Sequence, residues 1–595
     1  MKTTILFKML IFCVCICLGS PSVFAQDTTN ATTIKLDFTP DFIDFSPDDR
    51  YMVAENETRY LVWDTQTNNK VVEGKYAFKI GRFAKSISIP SGSGYFLFGN
   101  EKVFITIDYQ HNNSHIKAFN LKDGTQIWET NQLDIGIGLT ETLISAHAGS
   151  TLDVEVNGIK LSKPQLANNF FTRDRFLDRL INYVPEKHAI ALNGKNGLQL
   201  IDVRNGKILW TQQAFKGGIG ELLYNAPSNK LLAITVPATD GAIDLLTTTP
   251  EVIALNATTG TIAWKVAYTG DFMPNYASIV NNTLVLPYLE LAFIDLKTGT
   301  ERQGDVHSRM AAAKNVTKGL GGLMAIDKAM GGSFGANANQ PSKYNRLIPR
   351  ALHFNNQGKL CYFTMFDKNG TWGTGGKKGY TIIDIKKDKI ELEVHDLLGS
   401  QWTPLQDAMA NGIFYVKASG NLNRTTIKAI DARNGKELFE TEKAKNSADI
   451  SKAFNPFMID THNNRLIDVV SKGVYIFNAK TGENMAYTST KDLGVGTVKF
   501  SEFFANGLLI FGTKGVGVID FKGNIIASVS TKNIKGFAAT AQEIQLLENK
   551  RFIRIDANTG KLLEEQPLGK TNQIAFSPSG KTLARAKGAH IELFQ

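Results

Sequence analysis

Seven short segments of the chain share one spacing: an apolar strand ends in Asp or Asn, and Gly follows four positions later. They are "AFNLKDGTQIW" (Asn120 and Gly124), "LIDVRNGKILW" (Asp202 and Gly206), "ALNATTGTIAW" (Asn256 and Gly260), "FIDLKTGTERQ" (Asp295 and Gly299), "AIDARNGKELF" (Asp431 and Gly435), "IFNAKTGENMA" (Asn478 and Gly482) and "RIDANTGKLLE" (Asp556 and Gly560). The short Asp or Asn side chain accepts hydrogen bonds from amides of the turn just beyond it. Gly then supplies the positive-φ position that closes a hairpin, and an alternating strand leads away. Looser copies keep the same physics: "VWDTQTNNKVV" places Asn68, and "IIDIKKDKIEL" places Asp388, where Gly stands elsewhere. Asn and Asp are the non-glycine residues that best tolerate that backbone region. "VIDFKGNIIAS" is one residue shorter, with Asp520 and Gly523.

Upstream of several of these hairpins lies another, as in "IDFSPDDRYMVAE", "INYVPEKHAIAL", "LLYNAPSNKLLAIT" and "AFSPSGKTLARAK". Two hairpins in series make a four-stranded antiparallel sheet, and such units repeated every ~40–50 residues are the mark of a β-propeller. The expected fold is therefore all-β, with about eleven four-stranded blades. Because common propellers hold about four to eight blades, two rings are expected, with one ring carrying insertions as the alternative. The last strand, "HIELFQ", ends at the chain terminus with no partner after it. A strand near 32–38, "TTIKLDF" (Thr32 to Phe38), is expected to complete the last blade and hide two sheet edges. Trp128, Trp210, Trp264 and Phe439 each stand eight residues after the Asp or Asn, a position suited to wedging between neighbouring sheets.

Two intervals are too long for one blade. Between Asn120 and Asp202, Phe176, Leu177, Leu180 and Ile181 are spaced as one face of a short helix. Residues 303–350 form a Gly/Ala/Met-rich insertion with seven Lys or Arg against Asp305 and Asp327. The expected organisation is 1–25 signal peptide, 26–302 first blades, 303–350 insertion and 351–595 remaining blades.

The first residues, "MKTTILFKMLIFCVCICLGSPSVFA", place Lys2 and Lys8 before the apolar run Met9 to Leu18, then small residues and Val23-Phe24-Ala25. This is a secretory signal pattern with cleavage expected between Ala25 and Gln26, and its apolar run is far shorter than the roughly 20 residues of a membrane span. Cys13, Cys15 and Cys17 leave with it, so the mature chain keeps Cys361 alone and forms no internal disulfide. Loss of Lys2 and Lys8 takes the formal charge from +10 to +8. Over a chain this long that excess is mild and gives no case for nucleic acid. The expectation is an exported protein, soluble after cleavage, of the periplasm or cell surface, without a membrane-spanning segment.

The run of an apolar residue, any residue, Asp or Asn, three residues, Gly, three residues and Trp resembles the repeat of quinoprotein-type propellers, the pyrroloquinoline-quinone-like repeat family. The terminal stretches "FIDFSPDDRYMVAENETRYLVWDTQT" and "QIAFSPSGKTLARAKGAHIELFQ" resemble WD-type blades. The resemblance implies two kinds of function. Enzymes of the family bind pyrroloquinoline quinone with calcium and carry an adjacent cysteine pair, which the mature chain lacks. Its nearest non-catalytic analogue is the propeller scaffold of the outer-membrane protein assembly machinery.

Motifs for chemistry are sparse. His111 and His115 in "YQHNNSHIKAF" have the spacing of a helical metal pair, but they sit on a polar turn, where that spacing sets no common face. "DKNGTWGTGGKKGY" (Asp367 to Tyr380) clusters Gly375, Gly376 and Lys377. It departs from the phosphate-loop pattern because Thr371 holds the first Gly position and Lys378 the Ser/Thr position. Cys361 lies in an apolar strand, as a small core residue does. The chain has neither a G-x-S-x-G elbow nor an H-E-x-x-H pair. No catalytic or metal residues are assigned and no cofactor is expected. The reading is a non-catalytic binding or scaffold propeller for an envelope protein or glycan, with a quinone- or metal-dependent oxidoreductase as the alternative.

Overall fold

The computed structural model describes residues 31–594 with breaks, the longest at 78–91, 132–154, 161–169, 173–180, 237–250, 268–276, 309–352, 367–376 and 446–456. The signal segment 1–25 and almost all of the 303–350 insertion lie outside the described residues, as do Phe176, Leu177 and Leu180 of the expected helix. Ile181 opens a strand, Ile181–Val184, so the helical face does not extend to it. The described residues are strands and turns, with two single-turn 3-10 segments at Pro185–Lys187 and Ala226–Ser228 and a helical turn beginning at Asp305.

Apart from a two-stranded ladder of Glu155–Val156 with Ile159–Lys160, the strands form eleven antiparallel blades, numbered here along the chain. Blades 1 to 4 span residues 42–75, 92–130, 181–212 and 218–267; blade 5 spans 278–295; blades 6 to 10 span 353–398, 403–445, 458–489, 498–530 and 534–567. Blade 11 takes three strands from 571–594 and its outer strand, Thr32–Lys35, from the other end of the chain. Thr32 pairs with Leu593 and Lys35 with His590, which joins both termini in one sheet. Blade 2 gains a fifth strand, Phe170–Thr172, from the long interval before blade 3. Blade 5 has three strands among the described residues.

Packing decides the number of rings. Blades 1 and 2 share a core that includes Val53, Tyr95 and Phe104; blades 2 and 3 share Ile105, Trp128 and Ile190; blades 3 and 4 share Leu200, Trp210 and Leu231. Further cores join 4 to 5, 5 to 6, 6 to 7, 7 to 8, 8 to 9 and 9 to 10. Phe552 of blade 10 meets Ile574 and Leu583 of blade 11, and blade 11 packs on blade 1 through Ile591, Leu593, Phe45 and Met52. Every blade therefore packs on its neighbours in chain order and the last packs on the first. Two rings would require a break in that order, so the single-ring alternative is the arrangement found. First strands of neighbouring blades come closest, as Ile181–Val184 does to Gly218–Asn225 and Ile534–Ala539 to Thr571–Phe576, which puts them at the narrow axial end of each wedge.

The repeated turn is built as its residues dictate. In blade 5, Asp295 Oδ1 accepts from the amides of Lys297 (2.8 Å) and Thr298 (3.0 Å), and Gly299 adopts φ +73°. Asn68 and Asp388 take the same left-handed conformation at φ +57° and +48°. The turn also clamps the ring. Trp128, Trp210 and Trp264 each donate their indole N–H to a carbonyl of the next blade, Val203 (2.8 Å), Ala257 (2.9 Å) and Leu296 (2.9 Å). The glycine of that next turn lies flat against the indole: a Cβ on Gly260 would stand 2.5 Å from Trp210 Cδ2, and Gly206, Gly299 and Gly482 meet Trp128, Trp264 and Phe439 in the same way. Glycine is thus required twice, for its φ and for the ring pressed on its α-carbon.

Gly588 separates these two requirements, because it has φ +58° and nothing within 4 Å of an added Cβ. Both Gly588→Ala and Gly260→Ala pay the left-handed backbone cost of about 1–2 kcal/mol. Gly260→Ala must also displace Trp210, an overpacking cost of about 1–3 kcal/mol. Thermal melts of the two variants should show the larger fall for Gly260→Ala; equal falls would mean that the Trp–turn contact carries no weight.

Candidate binding surface

The residues singled out for chemistry do not converge. His111 and residues 367–376 lie outside the described residues. His115 begins a strand, with Nδ1 3.9 Å from Glu129 Oε1, so it faces a carboxylate of its own blade. Lys378 is largely buried, and burial lowers its pKa. Cys361 is 1% exposed in the core between blades 6 and 7, where burial pushes its thiol up to about 12. Among the described residues no cluster of His, Cys, Asp and Glu suits a metal ion.

Two polar clusters that sequence reasoning did not single out sit between blades. At the seam of blades 2 and 3, the Glu101 carboxylate accepts from the Tyr183 hydroxyl and lies 2.9 Å from His188 Nδ1. Burial, then the bond to Glu101, raises the Tyr183 pKa well above the usual phenol range. The same device recurs one blade later, where burial and a hydrogen bond to Glu186 push Tyr224 up to about 12. A Tyr–Glu contact thus recurs between the first strand of one blade and a turn of the blade before it. Farther round the ring, Lys417 Nζ and Asp468 Oδ1 stand 2.5 Å apart across blades 7 and 8, each side chain 2% exposed. Removing one partner of such a buried pair costs about 3–5 kcal/mol.

The outer surface differs in character. Exposed large apolar side chains concentrate on fourth strands just after the turns: Ile208, Leu209, Ile262, Leu438, Met485, Ile525, Leu562 and Leu563. Where blade 5 meets blade 6, an open groove of about 450 Å³ is lined by Asp305, Ser308, Ile390, Glu391, Leu392 and Glu393. Several turn aspartates are well held as anions. Arg433 beside Asp431 lowers its pKa, and amide and hydroxyl donors from Thr559 do the same for Asp556. The ring therefore offers contact area on its rim, a groove, and fixed carboxylates at several turns, an equipment suited to recognition.

Residues 112–317 match the family model described as outer membrane protein assembly factor BamB. No curated protein matches the chain. Among solved structures, the computationally designed Ika8 protein is 11% identical over 70% of this chain and 94% of its own, with a TM-score of 0.28. A eukaryotic initiation factor is 11% identical over 77% of this chain and 89% of its own, with a TM-score of 0.37. At such scores neither likeness adds to the assignment. No helix among the described residues is long and apolar enough to cross a membrane.

The state of Cys361 is directly measurable. In a chain beginning at Gln26, a thiol reagent such as dithionitrobenzoate should label no cysteine of the folded protein at pH 8 and one after denaturation. Prompt labelling of the folded protein would place Cys361 at an accessible site instead. The turns and blade packing make the chain a β-propeller, and over residues 112–317 it is similar to the pyrroloquinoline-quinone-like repeat family.

Proposed function

We propose that this protein is an exported, non-catalytic β-propeller of the bacterial envelope that holds protein partners on its rim. The observation that carries this reading is the match of residues 112–317 to a family described as an outer membrane protein assembly factor. Three features support it. The N-terminal residues have the charge and apolar pattern of a secretory signal. The rim exposes Met485, Leu562 and Leu563 beside polar turns, the mixture from which protein interfaces are made. The blades share continuous cores around the ring, so the rim is presented on a stiff frame. The protein would then act by positioning others, and its chemistry would be that of contact surfaces.

The mature protein, purified and immobilised, should retain a reproducible set of envelope proteins from a detergent extract, and the same set should cross-link to it in cells. The purified protein titrated with pyrroloquinoline quinone and calcium should keep its melting temperature. A ligand at 100 times its dissociation constant would add about 2.7 kcal/mol and raise it visibly. A clear upward shift, or retention of no envelope protein, would overturn the reading.

A further inference from the structure

The fourth strand of a blade is paired on one side and bare on the other, and most fourth strands of this ring carry charged residues. Blades 1 and 2 hold Lys70, Glu73 and Glu129, blade 4 Lys265, blade 7 Glu437 and Glu440, and blade 10 Glu564 and Glu565. Charge on an exposed edge keeps another edge from pairing with it. Blades 8 and 9 lack it: Asn484–Ser489 reads "NMAYTS" and Ile525–Ser530 reads "IIASVS". The fourth strand of blade 3, Ile208–Gln212, is uncharged too, but it stands between the charged strands of blades 2 and 4. In blades 8 and 9 two uncharged edges lie side by side.

Their surroundings are apolar. Leu438, Met485, Tyr487, Ile525, Leu562 and Leu563, all on fourth strands of blades 7 to 10, are six of the nine exposed large apolar side chains among the described residues. The middle of this arc is open along its backbone. The ladder between Gly515–Asp520 and Ile525–Ser530 runs on to the Thr531 amide, which donates to the Lys514 carbonyl (3.1 Å). Alternation along an antiparallel pair then turns the N–H and C=O of Ser528 and Ser530 outward. The Ser530 carbonyl is taken by the Arg551 guanidinium of blade 10. Among the described residues nothing bonds the outward N–H and C=O of Ser528, whose hydroxyl donates to the Leu493 carbonyl (2.5 Å).

We infer that the protein associates with a second copy of itself through the outer edge of blade 9, with Ser528 of one copy opposite Ser528 of the other in an antiparallel pair on a two-fold axis. The two blades then form one continuous sheet, in which Ser528 exchanges both backbone bonds with its counterpart. A two-fold sets a surface against itself, so charges near the axis meet their like, and an uncharged strand is the edge that suits such pairing. The side chains fit as well. Opposite Ala527 the second copy presents Val529, and opposite Ile526 it presents Ser530, a small residue against a branched one at each step. The same axis sets Met485 and Tyr487 of blade 8, and Leu562 and Leu563 of blade 10, toward their own counterparts. The inference assigns this arc of the rim to self-association and does not depend on the envelope partners proposed above.

The chain from Gln26, followed by sedimentation equilibrium across the micromolar range, should show a monomer–dimer equilibrium. Ser528→Lys should weaken it about tenfold or more, because two ammonium groups would face each other across the axis. Ile525→Lys, which keeps the Ser528 hydroxyl contact, should weaken it too; the melting temperatures of both variants are checked first. Ser528→Cys should give a covalent dimer on mild oxidation, since α-carbons of a hydrogen-bonded pair lie about 5.5 Å apart, within disulfide range. Cys361 is buried and does not compete. Thr211→Cys, on the uncharged strand of blade 3, should give no such dimer. A chain that stays monomeric overturns the inference, as does a dimer that both lysine variants leave intact, or covalent capture at Thr211 as rapid as at Ser528. A monomer that retains envelope proteins would sink this surface and leave the proposed function standing; a dimer that retains none would do the reverse.

Discussion

The contact between the outer strand of one blade and the turn of the next is what the ring depends on. A four-stranded blade has two faces to bury and cannot do so alone, so the geometry of neighbouring sheets must be held. Here the fourth strand supplies an aromatic or aliphatic side chain, and the Asp/Asn-to-Gly turn of the following blade presents a bare α-carbon and a carbonyl to receive it. Trp210 shows the whole device: its indole N–H bonds the Ala257 carbonyl while its ring covers Gly260. Where the outer strand has no tryptophan, smaller groups take the place, as Leu392 and Val394 do under Gly435 and Ala486 does under Gly523.

The seam of blades 10 and 11 lacks this device for a topological reason. Blade 11 closes with a strand from the far end of the chain, so it has no third-to-fourth hairpin and no turn to grip blade 10. That seam buries one apolar side chain, Phe552, among the described residues, and Arg585 lies 5.9 Å over its ring. Its ion pairs stay within their own blades: Arg554 with Glu543 and Glu564 on one side, Arg585 and Lys587 with Glu592 on the other. These charges are thus neutralised within each blade. At the next exception, blade 5, the described residues give three strands, and the chain after Arg302 is fastened to blade 6 by the Asp388 carboxylate, which accepts from the Gly304 amide.

How much of this was legible in the sequence depended on the range of the interaction. Local turn chemistry was fully legible, down to Asn68 and Asp388 at glycine's position, because the side chain and the amides it binds lie within three residues. The blade count followed from it. Ring number was not legible, since it depends on which faces of distant sheets meet, and expectation from common propeller sizes favoured two. The Tyr183–Glu101 staple joins residues 82 apart and left no motif. The fifth strand of blade 2 came from an interval whose spacing pointed to a helix.

The central claim is that one continuous series of blade contacts closes all eleven blades into a single ring. Electron microscopy of the mature protein viewed along the ring axis tests it most directly. The account predicts one closed ring with eleven spokes around one channel. Two smaller rings side by side, or an open arc, would contradict it.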